Sequence, residues 1–218
     1  MVKLEELSEL IKTRRSVRKF QDKPVPEDLL VKALELATWA PNGGNKQAWK
    51  FCIVTSKDLI QKMGDAVKSK TELIASWPEA EQFGETVTRW RRTSDFFRKA
   101  PVCIAVLMGK YISPADSILQ ARGDADPIAR EIRSYRAIGK SSLQSAAAAI
   151  TYLCLILHSF GIGTTWMAGP LQAKKEIEQL LNVSSDWDFV GLIPVGYAAE
   201  VPKVPPRKPI NDVIHFFR

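Results

Sequence analysis

The chain has 218 residues, 45% of them apolar and 25% charged, with a formal charge of +7. This is ordinary soluble globular composition, with length for one domain with a sizeable core or two small ones. The basic excess favours anionic partners without choosing among nucleotide, nucleic acid and membrane surface.

The N-terminal stretch MVKLEELSEL alternates acids with leucines and lacks the apolar run of a signal peptide. Leu4, Leu7, Leu10 and Ile11 have helical spacing and end just before a cationic cluster, KTRRSVRKF, at residues 12–20. VPEDLLVKALELATWAP opens with Pro26 and two acids, a helix N-terminus. Its apolar positions Leu29, Leu30, Ala33, Leu34 and Ala37 share one face, and Pro41 stops it. PNGG at 41–44 reads as a loop, AWKFCIVTS as a strand and KDLIQKMGDAVKS as a helix. Residues 75–98 read as irregular and partly helical, with Trp77, Phe83, Trp90, Phe96 and Phe97.

APVCIAVLMG at 100–109 has the β-branched content of a buried strand, and residues 111–127 read as a loop. A long helix is expected over 141–160. It is apolar nearly all round from Ala146 to Leu157, which suits burial in a core or against another subunit. That run is shorter than the roughly 20 residues of a bilayer span, so no membrane segment and a cytoplasmic location are expected. GIGTTWMAGP follows, with Gly161 as a helix C-cap and Trp166 as a core residue or, alternatively, a stacking partner. AKKEIEQLL reads as a helix. WDFVGLIPVGYA reads as a strand that Pro194 makes irregular or places at an edge. The tail carries Pro202, Pro205, Pro206 and Pro209 and ends in an apolar VIHFF, an extended arm. The element order alternates too irregularly for a doubly wound sheet, so an α+β layered fold is expected, with no interior linker.

Three segments carry chemistry. In the first, Arg14, Arg15 and Ser16 offer guanidinium groups and a hydroxyl at a helix exit, the donors a phosphate takes; a solvated basic patch uses the same residues. Nucleic acid would too, but no extended basic stripe or nucleic-acid module accompanies them. In the second, APNGGNKQAW, two glycines allow close backbone approach to a flat ligand. Asn45 and Gln47 each offer a donor and an acceptor, suited to a heterocycle edge; an ordinary loop is the alternative. In the third, residues 161–171, backbone N–H groups are available, without the strand–GxGxxG–helix order of a dinucleotide fold. The two histidines, His158 and His215, have no metal-ligand or nucleophile spacing, and no GxSxG occurs. Cys52, Cys103 and Cys154 lie in apolar surroundings and read as reduced, packed thiols.

Taken in order, RRSVRKF, APNGGNKQAW, GIGTTWMAGP and IPVGYAAEVPKVPPRKP resemble the FMN-dependent nitroreductase family along nearly the whole chain. Residues 65–140 match least. The resemblance implies a single three-layer α/β/α domain with a mostly antiparallel sheet, a long interface helix and a C-terminal arm. It implies FMN as cofactor and NADH or NADPH as donor. By the same resemblance Arg14, Arg15 and Ser16 hold the phosphate, joined by Arg207 from the arm, and Arg18 lies near the pyrimidine edge. Pro41, Asn42, Gly43, Asn45 and Gln47 border the ring, and Ala168 and Gly169 pass N5. Gln144 and Lys203 are weaker-aligned contacts. Asn42 stands where the family usually has Ser, and Ala48 where it usually has Pro.

The implied activity is hydride transfer from NAD(P)H to flavin and reduction of a small acceptor, such as a nitroaromatic, quinone or enone, by a ping-pong sequence. The flavin then carries the chemistry, with no catalytic side chain and no metal. A non-catalytic flavin sensor or store is the alternative. A homodimer with FMN at the interface is expected, without nucleic-acid or membrane partners. The aromatic stretch 69–99 is expected to cover the acceptor pocket.

Overall fold

The computed structural model describes residues 3–218. Strands β1 (Trp49–Val54), β2 (Val102–Gly109), β3 (Gly163–Thr164) and β4 (Trp187–Gly196) form one antiparallel sheet in the order β1-β2-β4-β3. Among the described residues, eight α-helices surround it: α1 (Leu4–Thr13), α2 (Glu27–Ala37), α3 (Lys57–Ala75), α4 (Gly84–Thr93), α5 (Pro114–Arg122), α6 (Pro127–Gly139), α7 (Ser141–Ser159) and α8 (Lys174–Leu180).

Strand β2 explains the layering. Its side chains alternate between two dry cores, as a strand buried on both faces must. Val102, Ile104 and Val106 join Leu30, Ala33 and Ala37 of α2 and Ile150, Leu153 and Leu157 of α7. Cys103, Ala105 and Leu107 join Ile60, Met63 and Val67 of α3, with Phe97, Ile177 and Phe189. The fold is therefore α+β with three layers, α2 and α7 on one side and α3 and α8 on the other. Burial raises the Cys103 thiol pKa well above its ordinary range, so this cysteine is an inert core group.

Three local expectations change. The stretch 111–127 is largely helical. Ser113 caps α5 in a reciprocal box with Asp116 and Pro114 follows it; Asp126 caps α6 by accepting from the Ile128 and Ala129 N–H groups, with Pro127 next. Ser-Pro and Asp-Pro here start helices rather than loops, because the proline ring presets φ at the first helical position. Second, Pro194 sits in an interior strand. Its ring faces the β3 side, where β3 has already ended and only the Pro194 carbonyl is needed, by the Thr165 N–H at 3.4 Å. The irregularity lies instead at Val190, where the register with β2 shifts between Val106 and Leu107. Third, α3 continues to Ala75, and residues 78–99 are two short 3₁₀ turns flanking α4, with Phe97 fully buried.

Helix α7 is buried along one stripe, from Ser145 through Leu157, and exposes Thr151 and Tyr152 opposite. Together α6 and α7 (Pro127–Ser159) are long and apolar enough to cross a bilayer. They are broken at Lys140, whose φ of 40° is left-handed, and the buried stripe of α7 is core. Gly161 (φ 74°) ends α7, with the Ile162 N–H reaching back to the Leu157 carbonyl, as its C-cap reading required. Beyond Tyr197 the chain is the expected extended arm. Val201 and Phe217 are 96% and 92% exposed.

Leu153 has no exposed surface and sits between α2, α7 and the sheet. Leu153→Ala is expected to cost about 2–5 kcal/mol, read from the urea midpoint. Val31→Ala, at an exposed position of α2, should cost under about 0.5 kcal/mol.

Candidate functional site

The cationic cluster and the arm meet. The arm begins as an extra antiparallel rung: Ala199 N–H donates to the Lys19 carbonyl and Gln21 N–H to the Tyr197 carbonyl, both at 2.9 Å. On the other side, Ser16 bridges Thr164 of β3, Val17 N–H donates to the Thr164 carbonyl, and the Thr165 hydroxyl donates to the Val17 carbonyl at 2.5 Å. This frame leaves a cavity of 440 Å³ lined by Arg14, Arg15, Ser16, Arg18, Lys203 and Arg207. Its one carboxylate, Glu200, already pairs with Lys19 at 2.7 Å. Five cations thus face one another with no carboxylate of their own, an arrangement that like-charge repulsion opposes and a bound anion relieves.

Arg15 is partly committed: its Nη1 donates to the carbonyls of Lys12 (2.5 Å) and Arg14 (2.7 Å), closing the end of α1. Arg14, Arg18, Lys203 and Arg207 make no side-chain hydrogen bond or ion pair among the described residues. Gly163 is required at the frame, since a Cβ there would lie 2.5 Å from Val17 Cγ2. Gly163, Thr164 and Thr165 were legible in the sequence only as part of the segment GIGTT; their role comes from pairing with residues 16–17.

From Thr164 the chain runs on to Ala168 and Gly169, about 13 Å of extended backbone. Both are exposed, and their N–H groups have no acceptor among the described residues. Met167 between them and Thr165 is anchored to Leu192 by a reciprocal pair of hydrogen bonds. Trp166 is not core. It is 44% exposed, with its indole edge over Gly191.

Residues 41–47 form a loop with a 3₁₀ turn, Gly43–Asn45. The loop satisfies itself more than expected. Asn42 Oδ1 accepts from Gln47 N–H at 2.9 Å and its Nδ2 donates to the Ala40 carbonyl, so that side chain is a staple. The Trp49 N–H bonds the Gln47 carbonyl at 2.7 Å and closes a three-residue turn around Ala48. The glycines admit a protein side chain: a Cβ on Gly43 would be 3.4 Å from Tyr111 Cε1, and one on Gly44 3.3 Å from the Tyr111 hydroxyl. Gly43 N–H donates to Ser145 Oγ, which donates to the Ser141 carbonyl, tying the loop to the start of α7. Gln144 turns away, donating to the Gly139 carbonyl.

Tyr111 and Ser141 also line a second, larger cavity of 720 Å³, walled by α5, α6, the start of α7 and residues 188–190. None of residues 69–99 reaches it. The helical cover over this chamber is α5–α6, not the aromatic stretch, which instead packs Phe97 beneath the sheet and leaves Phe83 in solvent.

The fold is an α+β sandwich with a carboxylate-poor cationic pocket at the sheet edge. Residues 11–197 match the family model described as the nitroreductase family, and the chain belongs to that family. It is 27% identical over 210 residues to the Bacillus subtilis (strain 168) protein named "Putative NAD(P)H nitroreductase YfhC", covering 94% of this chain and 91% of that one. It is also 27% identical over 216 residues to the iodotyrosine deiodinase of Thermotoga neapolitana, covering 95% of each. Among solved structures, a BluB-like flavoprotein from Clostridium difficile 630 matches with a TM-score of 0.86 at 26% identity, over 98% of this chain and 99% of that one.

His158, on α7, touches the cationic cluster. The Thr13 hydroxyl donates to the Glu9 carbonyl, so His158 Nε2, 2.9 Å away, is the donor to its oxygen. Burial first, then Arg14 and Arg15, push the imidazole pKa below its ordinary 6.5. The native state therefore binds this proton less readily than the unfolded chain. The corresponding stability is present above about pH 6.5 and is lost as pH falls through the lowered value. Urea midpoints should drop between roughly pH 7.5 and 5.5, and His158→Gln should flatten that drop.

Proposed function

We propose that the protein is an FMN-dependent oxidoreductase that takes hydride from NADH or NADPH and reduces a small organic acceptor. The observation that carries this is the pocket of five cations without a free carboxylate, whose charge suits a phosphate dianion. Family membership and the flavoprotein neighbour support it. FMN bound there would supply two-electron chemistry, accepting hydride from the nicotinamide and passing electrons to the acceptor in a ping-pong sequence.

The chain's own work is binding and electrostatics. Arg14, Lys203 and Arg207 clamp the phosphate from two chain segments, Ser16 adds a hydroxyl, and Arg15 contributes the N–H groups its backbone bonds leave free. Arg18 is the cation toward the pyrimidine edge, where it stabilises negative charge. Ala168 and Gly169 present free N–H groups toward the ring. Pro41, Asn42, Gly43, Asn45 and Gln47 border the ring as a preformed loop. No residue of that loop lines the cationic pocket of the same chain. The reading includes a homodimer in which each cofactor touches both chains. The exposed apolar tail, with Val213, Ile214, Phe216 and Phe217, is the surface that wraps the partner. A flavin store that never turns over is the competing reading. Colour separates the two: anaerobic NADH or NADPH bleaches an oxidoreductase, and a store stays yellow with both.

Arg14→Ala combined with Arg207→Ala should yield largely apo protein. Each lost charge-assisted bond costs about 1.5–3 kcal/mol, so affinity for FMN should fall by at least about a hundredfold in titrations of apo protein. An unchanged Kd removes both residues from the phosphate site. For assembly, sedimentation of the holo protein should give twice the 24.4 kDa chain mass. Deleting residues 210–218 should weaken both association and FMN retention; a holo monomer with full activity would sink the dimer assignment.

A further inference from the structure

We infer that the 720 Å³ chamber takes an acceptor bearing a single carboxylate, and that Lys140 is the residue that reads it. This rests on the oxidoreductase reading and adds a substrate class to it.

The chamber is lined by four cations, Arg133, Arg136, Lys140 and Lys174, and two carboxylates, Asp116 and Asp188. Three of the cations are already matched. Arg136 Nε lies 2.5 Å from Asp116 Oδ1, and its Nη2 donates to Ser113 Oγ at 2.8 Å. Arg136 and then Ser113 hold the Asp116 carboxyl far below the ordinary carboxylate range, so this pair stays charged and fixed. Lys174 sits 2.9 Å from Asp188 and 2.8 Å from Glu178. Arg133 pairs with Asp124. Lys140 has no carboxylate partner among the described residues. It is the single residue joining α6 to α7, at φ 40° and ψ 61°, a conformation that strains any non-glycine residue other than Asn or Asp. Arg136 Nη1 is also without a hydrogen-bond partner beside it.

The two cavities differ in how much positive charge they leave unmatched. The pocket at the chain termini has five cations and no free carboxylate, which suits a phosphate dianion. The chamber has one uncommitted ammonium, which suits a monoanion and not a diphosphate. A partly enclosed wall focuses that charge on whatever enters. Tyr111 joins the chamber to the loop at residues 41–47, packing on Gly43 and Gly44, so a molecule held by Lys140 lies beside the loop that borders the ring.

The test uses holo protein and two isosteric probes, 4-nitrobenzoate and 4-nitrobenzamide, with binding by calorimetry and turnover measured separately. The acid should bind about tenfold tighter than the amide at low ionic strength, a gap of one charge-assisted contact. Salt should erase the gap. Lys140→Asn, whose side chain tolerates the left-handed conformation, should erase it too without changing amide binding or the rate of bleaching by NADH or NADPH. Lys140→Arg should retain it. Equal affinity for acid and amide, or no measurable binding of the acid, overturns the inference. So does a Lys140→Asn effect confined to bleaching, which would assign the lysine to the donor. Turnover of both probes without preference removes the carboxylate and leaves the oxidoreductase. Preferential binding of the acid with no flavin bleaching by either donor does the reverse.

Discussion

The backbone pairing that brings Arg14, Arg15, Arg18, Lys203 and Arg207 to one pocket is the constraint on which the site depends. Five cations from opposite ends of the chain share one pocket, and among the described residues none of them forms an ion pair. They are held there by neutral forces. Backbone pairing of residues 19–21 with 197–199 brings the arm in, and pairing of residues 16–17 with 164–165 sets the other wall. Those hydrogen bonds hang from the edge of a sheet that has a hydrophobic core on each face, so the backbone that carries the charges is fixed by packing elsewhere. An anion in the pocket would meet several cations at once and stabilise the folded chain by binding it.

The same sheet edge separates tasks. Thr164 and Thr165 serve the cationic pocket, and three residues later the chain presents two free N–H groups at Ala168 and Gly169. Across the molecule, the loop at residues 41–47 is locked by Asn42 and by the Gly43–Ser145 bond, with Tyr111 filling the space its glycines leave. A loop already saturated with its own hydrogen bonds changes little on binding, which keeps the ordering cost low. Charge is distributed with equal economy: strong and unmatched at the termini, nearly balanced in the larger chamber except at Lys140.

Much of the fold was legible. Strand β2 announced itself by β-branched residues, α7 by its apolar run, and α2 by Pro26 and its acidic first turn. The misreadings share a cause. The stretch 111–127 is rich in Ser, Pro, Gly and Asp, and composition alone does not distinguish a turn from two helix caps placed in succession. Trp166 looked like core because tryptophan usually is, yet Gly191 opposite it leaves no side chain to bury the ring. Of the aromatic stretch 69–99, Phe97 is held in the far core, and the 720 Å³ chamber is walled by α5 and α6 instead.

What the sequence by itself determined is the chemistry on offer: a basic cluster suited to phosphate, a glycine loop, an apolar helix, a proline-rich arm, and a resemblance that tied them to one family. Those are local properties, written in residue type and near-neighbour spacing. The tertiary structure alone decided which of these groups share a space. Arg207 faces Arg14 only because backbone pairing folds residues 197–199 onto residues 19–21, and Asn42 turns inward because Gln47 folds back on it. Among the described residues Lys140 has no ion-pair partner, while Asp116 and Asp188, the carboxylates lining the same chamber, are each held by another cation. Pairing is a contest among all charges within reach, and reach is set by the fold.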